Sequence, residues 1–253
     1  MSAAVPWYYL PQFRPARLQD CVLWLESDSF SGSIWRNLAP NYPNENHGTA
    51  YGGVGFFTWH PQFVSALLFD GVDDYIDCGN SESLKISDAI TAAAWVYIIS
   101  FDTYAGIVDR RVSTYEWELR LNPATEKFEW RLNASDTAAT ALADAVLGHW
   151  IFIAGTYDKN LASGSTKLYL NGNLVHAVNA QGTLGYTEPI NIGRGSGSQY
   201  LNAKVATSYI YKAALSPAEI MHNYTHHPLY YLQRGIDPYE VLTAATAAAA
   251  PSI

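Results

Sequence analysis

The chain has 253 residues, of which 49% are hydrophobic, 14% aromatic and only 15% charged, a composition that supplies a packed interior and excludes a mostly disordered polymer. All-β sandwiches of this length commonly fold around a single core. Fifteen Lys and Arg against 23 Asp and Glu leave a net charge of -8, which argues against phosphate-backbone binding and so against nucleic acid as a partner.

The opening "MSAAVPWYYLPQFRPARLQD" lacks the basic segment and continuous apolar stretch of a secretory leader. No run approaches the roughly 18 to 20 apolar residues that cross a bilayer, so membrane insertion is not expected. Residues 1–19, rich in Pro and aromatics, read as an N-terminal arm suited to docking on a neighbouring subunit. Residues 20–228 form the expected body, where short alternating runs separated by Gly, Asn, Asp and Ser recur and helical periodicity is nearly absent. Cys21 and Cys78 are too few for a disulfide framework, and two separate buried thiols are expected rather than a bridge.

"FDGVDDYIDCGN", residues 69–80, places four aspartates in eight positions. Asp70-Gly71 reads as a turn, and Tyr75 and Asp77 alternate with Asp74, Ile76 and Cys78 along the strand that follows. The aspartates are thereby scattered over turn and strand faces and do not converge. Their spacing does not match the helix-loop-helix calcium loop, and no metal or cofactor is expected.

"YEWELRLNPATEKFEWRLN" reads as a hairpin. Tyr115, Trp117, Leu119 and Leu121 point one way, matched by Phe128, Trp130 and Leu132, while Glu116, Glu118, Arg120, Lys127, Glu129 and Arg131 point the other. Burying the apolar rows at about 25 cal/mol per Å² outweighs what exposed ion pairs supply, so the aromatic rows are core and the charged row faces solvent or ligand. Glu116, Glu118, Arg120 and Arg131 are the candidate ligand-binding residues, presenting donors and acceptors to a hydroxyl-rich sugar. The competing explanation is a cross-strand charge ladder that needs no ligand.

In "KLYLNGNLVHAV", Asn171-Gly172 separates two strand-like runs and suits the positive φ of a tight hairpin. "GRGSGS" at 193–198 follows a strand without opening a helix and is neither a P-loop nor a dinucleotide fingerprint. "LSPAEIMHNY" predicts one short helix, with Ser216 as N-cap, Pro217 at its first position, Glu219 completing a capping box and Pro228 limiting its length. His222, His226 and His227 lack the Glu of the metalloprotease signature and a third ligand, so ordinary helix-end roles are expected. Residues 229–253 read as a C-terminal tail of mostly small residues.

In chain order, "VLWLESD", "NHGTAYGG", "ALLFDGVDDYIDCGN", "SLKISDAITAAAWVY", "HWIFIAGTYD", "TKLYLNGNLV", "INIGRG" and "YIYKAALSPAEI" resemble the strand and turn signatures of the laminin G-like jelly roll, within the concanavalin A-like lectins and glucanases. The resemblance spans roughly residues 20 to 225 and implies an all-β, two-sheet antiparallel sandwich with a curved outer face and loops at its rim. Some laminin G-like domains carry rim calcium. Where many relatives read like "IDDVRIYNRALS", this chain reads "VATSYIYKAALS", lacking acids beside Tyr209, so that metal site does not carry over.

The glucanase pattern needs a further acid after its carboxylate pair. Here Glu116 and Glu118 are followed by Leu119 and Arg120, and an adjacent arginine favours ionised carboxylates, the wrong state for a general acid. No catalytic residue is expected. The resemblance, the absent leader and the terminal arms together imply a non-catalytic structural or attachment protein on a virion, in the capsid or tail. Its expected partners are other structural subunits, met through the arms, and cell-surface glycans bound weakly and multivalently. The alternatives are a free-standing secreted or cell-surface carbohydrate-binding module and, less favoured, a glycan-active hydrolase.

Overall fold

The computed structural model describes residues 7–10, 13–60, 64–110, 116–132, 140–179, 184–238 and 241. Its strands, in chain order, are β1 (Cys21–Ser31), β2 (Ile34–Asn37), β3 (Gly48–Tyr51), β4 (Gly55–His60), β5 (Val64–Asp70), β6 (Tyr75–Asp77), β7 (Ala89–Ile98) and β8 (Gly106–Arg110). There follow β9 (Trp117–Asn122), β10 (Lys127–Leu132), β11 (Thr140–Asp144), β12 (Trp150–Asp158), β13 (Thr166–Leu170), β14 (Asn173–Val178), β15 (Asn191–Ile192) and β16 (Asn202–Tyr211). Two helices close the described chain, α1 (Pro217–Thr225) and α2 (Pro228–Leu232).

The strands follow one antiparallel path, β11-β10-β9-β8-β15-β6-β3-β2-β1-β16-β7-β12-β13-β14, with β5 joining β16 and β4 joining β5. The path doubles back through β2, so β11 to β3 form a front layer and β1 to β14 a back layer. One apolar cluster takes Ile76, Val108, Leu119, Trp130 and Ile192 from the front and Leu23, Leu25, Val96, Ile153 and Val205 from the back. Strand alternation aims these residues at one another across the sandwich. Trp130 spans the gap, its indole N–H donating to the Thr156 carbonyl at 3.1 Å.

Local chemistry explains the connections. Asn171 and Gly172 take φ of 48° and 80° between β13 and β14, the positive values a two-residue hairpin needs. In the β9–β10 hairpin, Trp117, Leu119 and Leu121 face Leu132, Trp130 and Phe128; Tyr115 lies outside the described residues. Ser216 caps α1 with a full capping box to Glu219. Pro228 does more than end that helix: it opens α2, so the single short helix expected from sequence is two.

The central strands of the back layer, β1, β16, β7 and β12, are buried on both faces, and the N-terminal arm helps to cover them. The outer side of the layer carries Trp24, Trp95, Phe152, Tyr169, Tyr209 and Tyr211, which α1 and α2 cover with Ile220, Tyr224 and Leu229. Trp7, Tyr8 and Phe13 of the arm join the same cluster. The Trp7 indole N–H donates to Asp28 at 2.6 Å, and the Ala16 backbone N–H donates to Asn223 at 2.7 Å. The arm aromatics thus cover the chain's own sheet, which would otherwise leave large rings in water. A boundary at 228 likewise cuts α2, whose Leu229 is fully buried; most of the tail lies outside the described residues. Cys21 and Cys78 are both free and buried, and burial pushes each thiol's pKa up. Among the described residues, no helix is long and apolar enough to cross a membrane.

Candidate functional site

The charged row lies opposite the core, as alternation requires, but it is not open to solvent. Glu116, Glu118, Arg120 and Glu129 are all at least nine-tenths buried, and Arg131 is half-buried. The row is also paired within itself. Arg120 donates to Glu129 at 2.7 Å through Nε and to Glu118 at 3.1 Å, while Asn122 serves the other Glu129 oxygen at 2.8 Å. The Arg120 guanidinium also lies 5.0 Å from the Tyr104 ring centroid. Register places Arg131 opposite Glu118 and Glu129 opposite Arg120.

Glu116 belongs to a different buried knot. Its carboxylate accepts the Thr187 backbone N–H at 2.6 Å and lies 3.3 Å from Arg110. Arg110 in turn donates to the Glu188 and Leu84 carbonyls at 2.7 and 2.5 Å and to Asn80. Burial pulls the Arg110 guanidinium down to about 10, against the raising influence of Glu116 and Glu188, so it stays charged at neutral pH. Glu116, Glu118 and Arg120 therefore belong to two buried, ion-paired networks. Their expected exposure is corrected for a plain reason: alternation tells which side a residue faces, not what covers that side.

The aspartates behave in the reverse manner. Oxygens of Asp70, Asp73 and Asp74 lie within 4.8 Å of one another, so carboxylates expected to scatter do converge. Much of their hydrogen bonding shapes the turn itself. Asp70 accepts the Val72 N–H at 2.8 Å, Asp74 accepts the Asp70 N–H at 3.0 Å, and Asp77 accepts the Gly79 N–H at 2.7 Å. Asp74 is 3% exposed, and its second oxygen has no hydrogen-bond partner among the described residues. Burial raises its carboxyl from 3.8 to about 6, with the Asp70 N–H opposing and the Asp70 and Asp73 charges adding to the rise.

A raised folded-state pKa stabilises the fold where the proton is held. The contribution is complete below the unfolded value near 3.8 and is lost as pH rises through about 6. Asp74→Asn is expected to flatten this part of the stability profile, so that variant minus wild-type unfolding free energy increases between pH 4 and 6.5 in urea titrations. Melts with and without added calcium show whether the three carboxylates also hold a hard cation, which takes six to eight oxygen ligands. Unchanged melting assigns them to the turn alone.

The same turn positions an aromatic surface that the sequence reading overlooked. β3 pairs with β6 so that Tyr51 lies opposite Tyr75 and Thr49 opposite Asp77, while Ala50 and Ile76 face the core. The two tyrosine rings stack at 4.9 Å with a 12° interplanar angle, and Tyr51 is 46% exposed. Arg194 sits 4.6 Å over the Tyr75 ring, and Tyr200 lies 6.3 Å beyond it. Arg194 makes no ion pair among the described residues, and its Nε has no hydrogen-bond partner. Gly52 holds the platform against the acidic turn: its φ is 88°, and a Cβ there would lie 2.5 Å from the Asp73 carbonyl oxygen. Beside Tyr51 opens a groove of about 370 Å³, also lined by Phe30, Gly32, Ser33 and Gly53. The available signal was the pair "TAY" and "YID", each setting a tyrosine two residues from a polar residue on one strand face.

A laminin G-type family model matches residues 70–221, more than half of the chain. The chain belongs to the concanavalin A-like lectin/glucanases superfamily. Solved structures of similar fold include the binding domain of Paraclostridial Mosquitocidal Protein 1 (16% identity, TM-score 0.62, covering 82% of this chain and 52% of that one). Another is domain 4 of AbnA, a GH43 extracellular arabinanase from Geobacillus stearothermophilus, in complex with arabinotriose (15% identity, TM-score 0.59, covering 80% and 97%). A third is Trypanosoma rangeli sialidase in complex with sialic acid (13% identity, TM-score 0.60, covering 81% and 33%). The lectin/glucanase-like chain thus spans about a third of the sialidase and about half of the mosquitocidal protein chain. No curated protein sequence matches it. At these identities the likeness is one of fold, and enzymes and binding domains share it.

Proposed function

We propose that the chain is a non-catalytic carbohydrate-recognition domain whose ligand lies on the Tyr51–Tyr75 platform. The observation that carries this reading is the stacked, partly exposed tyrosine pair bordered by Arg194, a guanidinium without an ion pair among the described residues. A sugar presents an apolar ring face and a hydroxyl edge. Tyr51 offers a flat apolar surface to the first, while Arg194 and the phenol hydroxyls offer hydrogen bonds to the second. The groove beside Tyr51 extends the surface enough for a further ring. The mosquitocidal binding domain and the arabinotriose-bound arabinanase domain support the reading as relatives by fold.

A non-catalytic role fits the chemistry of the carboxylates on the sheet. Glu116 and Glu118 are committed to Arg110 and Arg120, whereas glycoside hydrolysis needs a protonated acid beside the scissile bond. Virion display rests on the sequence resemblance and the arms, and nothing in the platform requires it. Multimerised protein on a glycan array is expected to give a reproducible signal that Tyr51→Ala abolishes, with a loss of about 2 kcal/mol or more, the scale of a buried aromatic anchor. Arg131→Ala is expected to leave the signal in place. A signal indifferent to Tyr51→Ala and Tyr75→Ala, both folded, would sink the platform.

A further inference from the structure

A second recess, of about 400 Å³, opens where the arm meets β1, β2 and the loop that follows β2. Arg14 and Arg36 supply its positive charge, His47 adds an imidazole, and its apolar lining includes Leu18, Leu38 and Pro40. Among the described residues no acidic side chain lines it, which stands out in a chain of net charge -8. The neighbouring Arg17 is already taken, 2.6 Å from Asp20 and 3.8 Å from Glu219. Arg36 is exposed and makes no ion pair among the described residues.

His47 has a defined role in the wall. The Asn37 backbone N–H donates to its Nδ1 at 3.0 Å, so the neutral ring carries its proton on Nε2 and can donate it to a ligand. The wall is also rigid. The Asn37 side chain accepts the Trp24 and Ala39 backbone N–H groups at 2.8 and 3.1 Å and donates to the Val22 carbonyl at 3.0 Å. Little ordering is then left for a ligand to impose.

We propose that this recess binds a compact carboxylate with a body of about one sugar ring, a uronic acid in chemical class. The carboxylate meets Arg36 and the His47 Nε2–H, with Arg14 adding positive potential, and the ring lies against Leu18, Leu38 and Pro40. A guanidinium matches a carboxylate in two parallel hydrogen bonds. The apolar wall distinguishes the expected ligand from a bare anion, and the volume suits a small molecule. The site shares no lining residue with the tyrosine platform and stands or falls separately from it.

Isothermal titration of D-glucuronate into the full chain tests the proposal, with D-glucose as the neutral probe and acetate as the ringless anion. Glucuronate is expected to bind about ten-fold or more tighter than either, as loss of one charge-assisted hydrogen bond implies. Arg36→Ala should weaken glucuronate by a similar factor without shifting the melting temperature, because the side chain is exposed. Tyr51→Ala should leave glucuronate binding unchanged. Equal affinity for glucose or acetate, or glucuronate binding that survives Arg36→Ala, overturns the proposal; loss through Tyr51→Ala alone places the acid on the platform and also overturns it.

Discussion

Arg120→Ala is expected to lower the unfolding free energy by about 3–5 kcal/mol, the scale of breaking one side of a buried ion pair. Arg120 is the cation that Glu118 and Glu129 share inside the front layer, and all three are at least nine-tenths buried. Its removal leaves two carboxylates close together in a region of weak solvation, where their repulsion is poorly screened. Arg120→Met with Glu129→Gln should recover part of the loss by deleting one charge of the pair. Urea unfolding measures each step. An Arg120→Ala protein as stable as wild type would show that solvent reaches the network. The same result decides how a glycan experiment on Arg120 is read, because lost binding in an unfolded variant says nothing about contact with sugar.

Trp130→Ala should cost a similar amount, about 3–5 kcal/mol, through the cavity it leaves between the layers. Trp130 is fully buried and packs where β12 has a glycine. A Cβ on Gly155 would fall within the van der Waals shell of the Trp130 ring, so Gly155→Ala alone is expected to cost about 1–3 kcal/mol by overpacking. The two positions should couple. With Trp130 shortened to Leu, the methyl added by Gly155→Ala enters space the indole has vacated, and the penalty of that substitution should shrink or vanish. Additive losses in the double-mutant cycle would show that the layers do not meet at this point.

Part of the candidate surface was readable from sequence because each part rests on a local rule. The alternation of Trp117, Glu118, Leu119 and Arg120 assigns faces correctly, since successive strand residues must point to opposite sides. The platform was not readable in this way. Tyr51 and Tyr75 meet only because β3 pairs with β6 in one register, and a one-residue slip would put the two rings on opposite faces.

By itself, the sequence determined the features that depend on neighbours along the chain. These are the Asn171-Gly172 turn, the Ser216 to Glu219 capping box, the two rows of the β9–β10 hairpin and the two-layer architecture they imply. Only the tertiary structure decided which wet faces stay wet. It placed Trp7 and Phe13 on the chain's own back layer, enclosed Arg120 with its glutamates, brought Asp70, Asp73 and Asp74 together and left Tyr51 in solvent. The division has a physical cause: turn and cap preferences are set by dihedral angles and hydrogen bonds within a few residues. Burial depends on segments far apart in the chain that meet only once the sheets are assembled.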